Sequence, residues 1–176
     1  MENSTRAAGP GSYSRITPFN GNWILLEPSS DTIYTLMPDC SLRPFIARTP
    51  PIHTMDPEVF LIPRLISNRY YFMEGIKNVY DFRKEEGFPK TYFVYDTQEK
   101  EFSRYIIYNG DYTSKNEFYM VMLTPINAQG ESWATLNAFD LCRDYQKGKL
   151  KGKLKEVAAT LEEDDNRVVM LVKSKK

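Results

Sequence analysis

Along the first two thirds of the chain, apolar residues come in short runs cut by turn formers, the pattern of strands. Trp23-Ile24-Leu25-Leu26 lies between Asn20-Gly21-Asn22 and Pro28-Ser29-Ser30-Asp31. Thr32-Ile33-Tyr34-Thr35-Leu36 follows, and Pro38-Asp39 turns the chain again. Residues 42–48 form a third extended piece, which Pro44 restricts to an edge or a bulged strand. Arg48-Thr49-Pro50-Pro51 reads as a connector, because a residue before proline is pushed out of the helical region. Phe60-Leu61-Ile62 and Leu65-Ile66 flank Pro63. After the turn signal Ser67-Asn68, residues 69–74 predict a strong strand, and 78–82 are expected to continue the sheet. Lys84-Glu85-Glu86-Gly87 predicts a charged loop, with Gly87 supplying a positive φ. Residues 91–95 and 101–108 predict two strands around the polar loop 96–100, and 117–123 begin another.

The final third changes period. Ser132 predicts an N-cap, with Trp133, Leu136, Phe139 and Cys142 recurring every three residues and Gly148 as the stop. This places one helix at about 132–147 and a second at about 150–161. Glu162-Glu163-Asp164-Asp165-Asn166 is an acidic turn. Val168-Val169-Met170-Leu171-Val172 is apolar throughout, so it predicts a strand buried inside a sheet.

Two stretches look alike. Residues 32–36, a polar turn and 42–48 match residues 91–95, a polar turn and 102–108, and each hairpin follows another apolar strand. Recurring units of three or four antiparallel strands mark propeller blades of about 40–45 residues. An ordinary meander of hairpins satisfies the pattern equally.

Composition narrows the function. The 23 Lys plus Arg balance 23 Asp plus Glu, which argues against a nucleic-acid partner, whose binding needs a basic excess. Aromatic residues reach 14%, with 12 Tyr and 10 Phe, again favouring strands. Residues 1–12 read as a flexible polar tail without the apolar core of an export signal, and no stretch is apolar enough to span a bilayer. As written, the chain is expected in the cytoplasm. Cys40 and Cys142 are expected as free thiols.

Ser30-Asp31-Thr32-Ile33-Tyr34, Leu42-Arg43-Pro44-Phe45, Arg69-Tyr70-Tyr71-Phe72-Met73-Glu74 and Phe93-Val94-Tyr95-Asp96 resemble a family of bacterial six-bladed β-propeller proteins of unknown function. The closing stretch from Leu150-Lys151-Gly152-Lys153-Leu154-Lys155 through Val168-Val169-Met170-Leu171-Val172 is similar to that family's C-terminus. The resemblance covers about residues 20–176. It implies a mostly β fold, no known activity, no catalytic residues to carry over, and a cell-envelope or periplasmic setting for a full-length form. Six such blades need roughly 250 residues. The 176 residues here leave room for about three, with units at about 20–50, 58–110 and 115–176. The expected architecture is therefore an incomplete propeller over 13–176, with a C-terminal helical segment and a final strand, read as a fragment of a longer protein. Uncovered blade faces would then favour self-association.

Candidate chemistry is sparse. His53 stands alone in a loop, and one His with two distant Cys makes no zinc set. The acidic run 162–165 lacks the ligand alternation of a calcium loop. Asp81, Glu85 and Glu86 follow no spacing rule. Lys147, Lys149, Lys151, Lys153 and Lys155 spread around a helix instead of lining one face. No cofactor is implied. Aromatic residues crowd one unit, and Arg64, Arg69, Tyr70, Tyr71 and Tyr92 form the candidate ligand surface, suited to a glycan, a peptide or another protein. Inter-blade packing accounts for the same rings, and Arg64 and Arg69 have Glu74 and Asp81 as candidate partners. The leading expectation is a non-enzymatic binding or scaffold module. A metal-dependent propeller hydrolase or lactonase and a lipocalin-like ligand-binding β-barrel are the alternatives.

Overall fold

The run Trp23-Ile24-Leu25 does become a strand, and so does nearly every apolar run up to residue 104. A computed structural model describes residues 16–127, 129 and 131–173. The tail expected at 1–12 lies outside the described residues. Four strands open the chain: β1 (Ile16–Phe19), β2 (Asn22–Leu25), β3 (Thr32–Leu36) and β4 (Leu42–Ala47). They pair antiparallel in chain order, so β1 adds a strand ahead of the first expected unit. Pro44 sits in β4 at the sheet's edge, and the register of β3 with β4 shifts between Ile33 and Tyr34. Proline lacks an N–H, so an edge and an irregular register are where a sheet tolerates it.

Next come β5 (Val59–Ile66), β6 (Tyr70–Lys77), β7 (Tyr80–Asp81), β8 (Glu86–Gly87), β9 (Lys90–Asp96) and β10 (Glu101–Arg104). The second four-stranded sheet runs β10-β9-β6-β5. Pro63 interrupts nothing, and residues 59–66 form one strand. The stretch 78–82 does not join this sheet. Instead β7 folds back on β8 as a two-stranded hairpin. Gly87 is needed there for a different reason than a positive φ. A Cβ on it would stand 2.3 Å from a Tyr80 ring carbon, while Glu85 and Phe88 take the left-handed φ of 55° and 52°.

The return from the 96–100 loop breaks after Arg104. Strand β11 (Ile107–Tyr108) leaves to pair with β12 (Glu117–Phe118). The run 117–123 yields only those two paired residues and a 3-10 turn at Met120–Met122. The third larger sheet joins β13 (Thr124–Pro125), β14 (Ser132–Leu136) and β15 (Val168–Val172) in that order.

Two expectations fail in this sheet. Residues 132–136 are strand, and helix α1 begins only at Ala138 and runs to Gln146. Pairing with β15 satisfies the backbone from Ser132 to Leu136. The N-cap is Asn137, whose Oδ1 accepts the Phe139 amide at 3.0 Å. Strand β15 is an edge, not an inner strand: its alternate residues are covered, and Val169 and Leu171 are 59% and 64% exposed. A run apolar on both faces would be buried only if both faces were packed. Helix α2 (Gly152–Ala158) is shorter than expected, because Leu150 is spent in a bridge with Tyr112.

The fold is mostly β, with antiparallel sheets and two helices. Among the described residues no sheet closes on itself, since each has two unpaired ends. The lipocalin-like barrel is thereby corrected, because a barrel needs its first and last strands to pair. The described residues divide into two compact units, 16–63 with 73–93, and 64–72 with those from 94 to 173. In the first, Ile24 and Ile33 are buried on one face of the β1–β4 sheet. In the second, Leu65, Phe72 and Leu123 anchor one cluster, and Leu141, Leu150 and Ala158 another.

Candidate functional site

The five residues expected to form a ligand surface do not share one. Strand neighbours point to opposite faces. Tyr70 lies beside Phe72, ring centroids 6.1 Å apart, and packs on the Leu65 cluster. Tyr71 points the other way, to Tyr95 at 5.9 Å. Arg69 forks onto Asp96, with Nη2 2.9 Å and Nε 3.1 Å from Oδ2, and its guanidinium lies 4.9 Å from the Tyr70 ring. Its partner is thus neither Glu74 nor Asp81. Glu74 is 2% exposed and faces Lys90 Nζ at 3.6 Å. Arg64 is half-buried in β5, and Tyr92 is half-buried in β9, in the other unit.

A concave site does exist in the second unit, built on a stretch read only as a turn. Asn109 Oδ1 accepts the Asp111 amide at 3.0 Å, turning the chain. The Thr113 amide then donates to the Lys149 carbonyl, and the Lys151 amide to the Asp111 carbonyl, each at 2.8 Å. Between them Tyr112 bridges Leu150. Asp111 Oδ2 accepts the Leu154 amide at 3.2 Å and so holds the first turn of α2. Gly152 is required at this approach: its φ is 55°, and a Cβ would meet Asp111 Oδ1 at 2.6 Å.

This ladder presents Tyr112 to α1, where its hydroxyl donates to Asp144 Oδ2 at 3.2 Å. Asp144 is 8% exposed, and Lys149 Nζ stands 3.2 Å from its Oδ1. Arg143 Nε approaches the same oxygen at 3.9 Å. The buried carboxylate is thus partnered by one hydroxyl and two cationic side chains, as burial of such a group requires. Burial, and after it the Asp144 charge, raise the Tyr112 phenol above its ordinary value, so it stays a donor at neutral pH.

Above this group opens a cleft of about 410 Å³. Tyr112 forms one wall, and Leu136 and Leu141 are its apolar lining. Thr135 and Asn137 reach it from the end of β14, Asp140 from the first turn of α1, and Arg167 from the residue before β15. Asp140 Oδ1 also holds Arg143 Nη2 at 2.8 Å. A guanidinium, a carboxylate, an amide and a phenol ring thus meet around one space. No spacing rule connects residues 112, 137, 140 and 167. The one legible signal was Asn137, a capping residue just ahead of Ala138.

The remaining candidates are structural. His53 is 77% exposed and 3.9 Å from Asp31, whose Oδ1 accepts the Ile52 amide. Asp81 Oδ1 accepts the Arg83 amide at 2.9 Å, and Asp165 Oδ2 the Glu162 amide at 2.8 Å, so both carboxylates close turns. Lys149 and Lys153 pair with Asp144 and Glu156. Both cysteines are free, Cys40 exposed and Cys142 buried, where burial pushes its thiol up. Among the described residues, no three His, Cys, Asp or Glu side chains come together to hold a metal. No helix among them is long and apolar enough to cross a membrane.

No protein-family model and no curated protein matches the sequence. A crystal structure from Bacteroides fragilis NCTC 9343, of a protein named as one inferred to be exported, is similar in fold, with a TM-score of 0.59. The two are 14% identical over 92% of this chain and 49% of that one. This chain therefore spans about half the length of its fold-mate, and the likeness is one of fold alone.

Proposed function

We propose that this chain is a non-enzymatic binding module built from β-propeller blades, and that its ligand is a sugar-like polyol seated in the Tyr112 cleft. The observation that carries the reading is the convergence of Arg167, Asp140 and Asn137 beside a phenol ring over a space of about 410 Å³. That volume falls in the range of about 300–1,000 Å³ common for small-ligand sites. Arginine and asparagine offer paired donors, and a carboxylate offers paired acceptors, which suits neighbouring hydroxyls. The Tyr112 ring with Leu136 and Leu141 suits the apolar face of a sugar ring. Small sheets succeeding one another along the chain support the blade reading, as does a fold-mate twice as long. The name of that fold-mate speaks of export, in keeping with a cell-envelope setting.

Calorimetric titration with a panel of mono- and oligosaccharides tests the site. Saturable binding that weakens at least tenfold in Arg167→Ala and in Asp140→Asn is expected. Binding untouched by both changes but lost in Tyr92→Ala or Arg69→Ala would move the site to the sheet surface. No binding at millimolar sugar would overturn the polyol reading. Bound calcium or zinc together with hydrolytic turnover would replace it with the metal-dependent hydrolase.

A further inference from the structure

The cleft beside Tyr112 is lined by two charged side chains, Asp140 and Arg167, and only the first is matched within the fold. Asp140 Oδ1 takes Arg143 Nη2 at 2.8 Å, so its charge is met from outside the lining. Asp144 next to it is held by Lys149 and Arg143. The carboxylates of Asp140 and Asp144 thus balance the cations of Arg143 and Lys149. Arg167 stands apart. It is exposed, and among the described residues no carboxylate forms an ion pair with it. The cleft therefore presents an uncompensated positive charge.

The amide beside that charge is a free donor as well. In the register of β14 with β15, Leu136 pairs with Val168, so the next residues outward, Asn137 and Arg167, leave the sheet end side by side. Asn137 Oδ1 accepts the Phe139 amide at 3.0 Å, which leaves its Nδ2 hydrogens for a ligand. The Tyr112 hydroxyl is committed to Asp144 at 3.2 Å, so Tyr112 offers its ring. The carboxylate acceptor left over is Asp140 Oδ2.

We propose that the ligand of this cleft is an acidic sugar, a uronate-type ring whose carboxylate is bound by Arg167 and the Asn137 amide. One ring hydroxyl then falls to Asp140, and the apolar ring face to Tyr112, Leu136 and Leu141. The inference rests on the polyol reading of the cleft and narrows it. A guanidinium fork with a neighbouring NH2 group matches a planar monoanion. A phosphate ester carries close to two charges at neutral pH and would meet one free cation, with the Asp140 carboxylate nearby. A neutral sugar would leave the Arg167 charge to water, where it adds nothing to binding.

Calorimetric titration of the full chain with glucuronate and galacturonate, against glucose and galactose, measures the preference. The uronates are expected to bind about tenfold tighter or more, the size of a charge-assisted hydrogen bond, and the ratio is expected to shrink as salt rises. Arg167→Gln keeps an amide donor without the charge and is expected to bring the ratio close to one. Arg167→Lys keeps the charge and is expected to retain part of the preference. Asp140→Asn is expected to weaken both kinds of sugar and to raise the ratio, because a repelling charge leaves the cleft. Circular dichroism and a cooperative melt show each variant folded. Equal affinity for uronates and neutral hexoses overturns the acidic-sugar assignment and leaves the polyol site standing. A uronate preference that Arg167→Gln leaves intact overturns it too, since the carboxylate is then read elsewhere. Tighter binding of glucose 6-phosphate than of glucuronate overturns it in favour of phosphate esters. Absence of binding by every sugar overturns both readings.

Discussion

Arg69 and Asp96 show how much one ion pair can do to two side chains. The forked hydrogen bonds from Arg69 hold the Asp96 carboxyl below its ordinary value, and the amides of Gln98 and Glu99 add to this. A carboxyl with a lowered folded value adds stability that is complete above the unfolded value, about 3.9. That stability is lost as pH falls from there through the folded value. Melts of the wild type and of Asp96→Asn are therefore expected to differ most at neutral pH and to converge in strong acid. A constant gap down to acid pH would show that the pair contributes by shape alone. Arg48 is the contrasting case. Its Nη2 donates to the Pro28 carbonyl at 3.1 Å, while Nε and Nη1 are buried without a hydrogen-bond partner, and burial lowers its value.

Ser132 and Asn137 decide where β14 ends and α1 begins. Both are capping residue types, and a three-residue apolar period starting at Trp133 favours the earlier one. Ser132 instead enters a strand, 0% exposed, with its hydroxyl unpartnered. Asn137 is the residue that caps. Ser132→Ala is therefore expected to leave stability unchanged or raise it, since it removes a buried unsatisfied group. Asn137→Ala is expected to cost about 1 kcal/mol. Urea melts of the two variants check this, and the reverse order would restore the longer helix. Pairing across strands explains the other displaced boundaries as well. Residues 80–81 pair with 86–87, where Gly87 lies close against Tyr80, and that approach is invisible in spacing.

At the scale of the whole molecule, burial is one-sided in both terminal sheets. Ile33→Ala is expected to cost about 2–5 kcal/mol, because it opens a cavity at a wholly covered position. Ile16→Ala, on the bare face of the same sheet, is expected to cost the monomer under about 0.5 kcal/mol. Denaturant melts at submicromolar concentration separate the two, and equal costs would mean that the outer face is covered. The mostly β character, the strands from 22 to 104 and the two helices near the end were legible in the sequence. Short apolar runs between turn formers and a 3.6-residue period are local signals that survive without tertiary contacts. The cleft was not legible, because Tyr112, Asp140 and Arg167 meet only after residues 109–113 align with 149–151 and α1 packs on them. Nor was the place of β15. Its five apolar residues predict burial whichever neighbours they have, and only the tertiary arrangement left it one paired neighbour and one packed face.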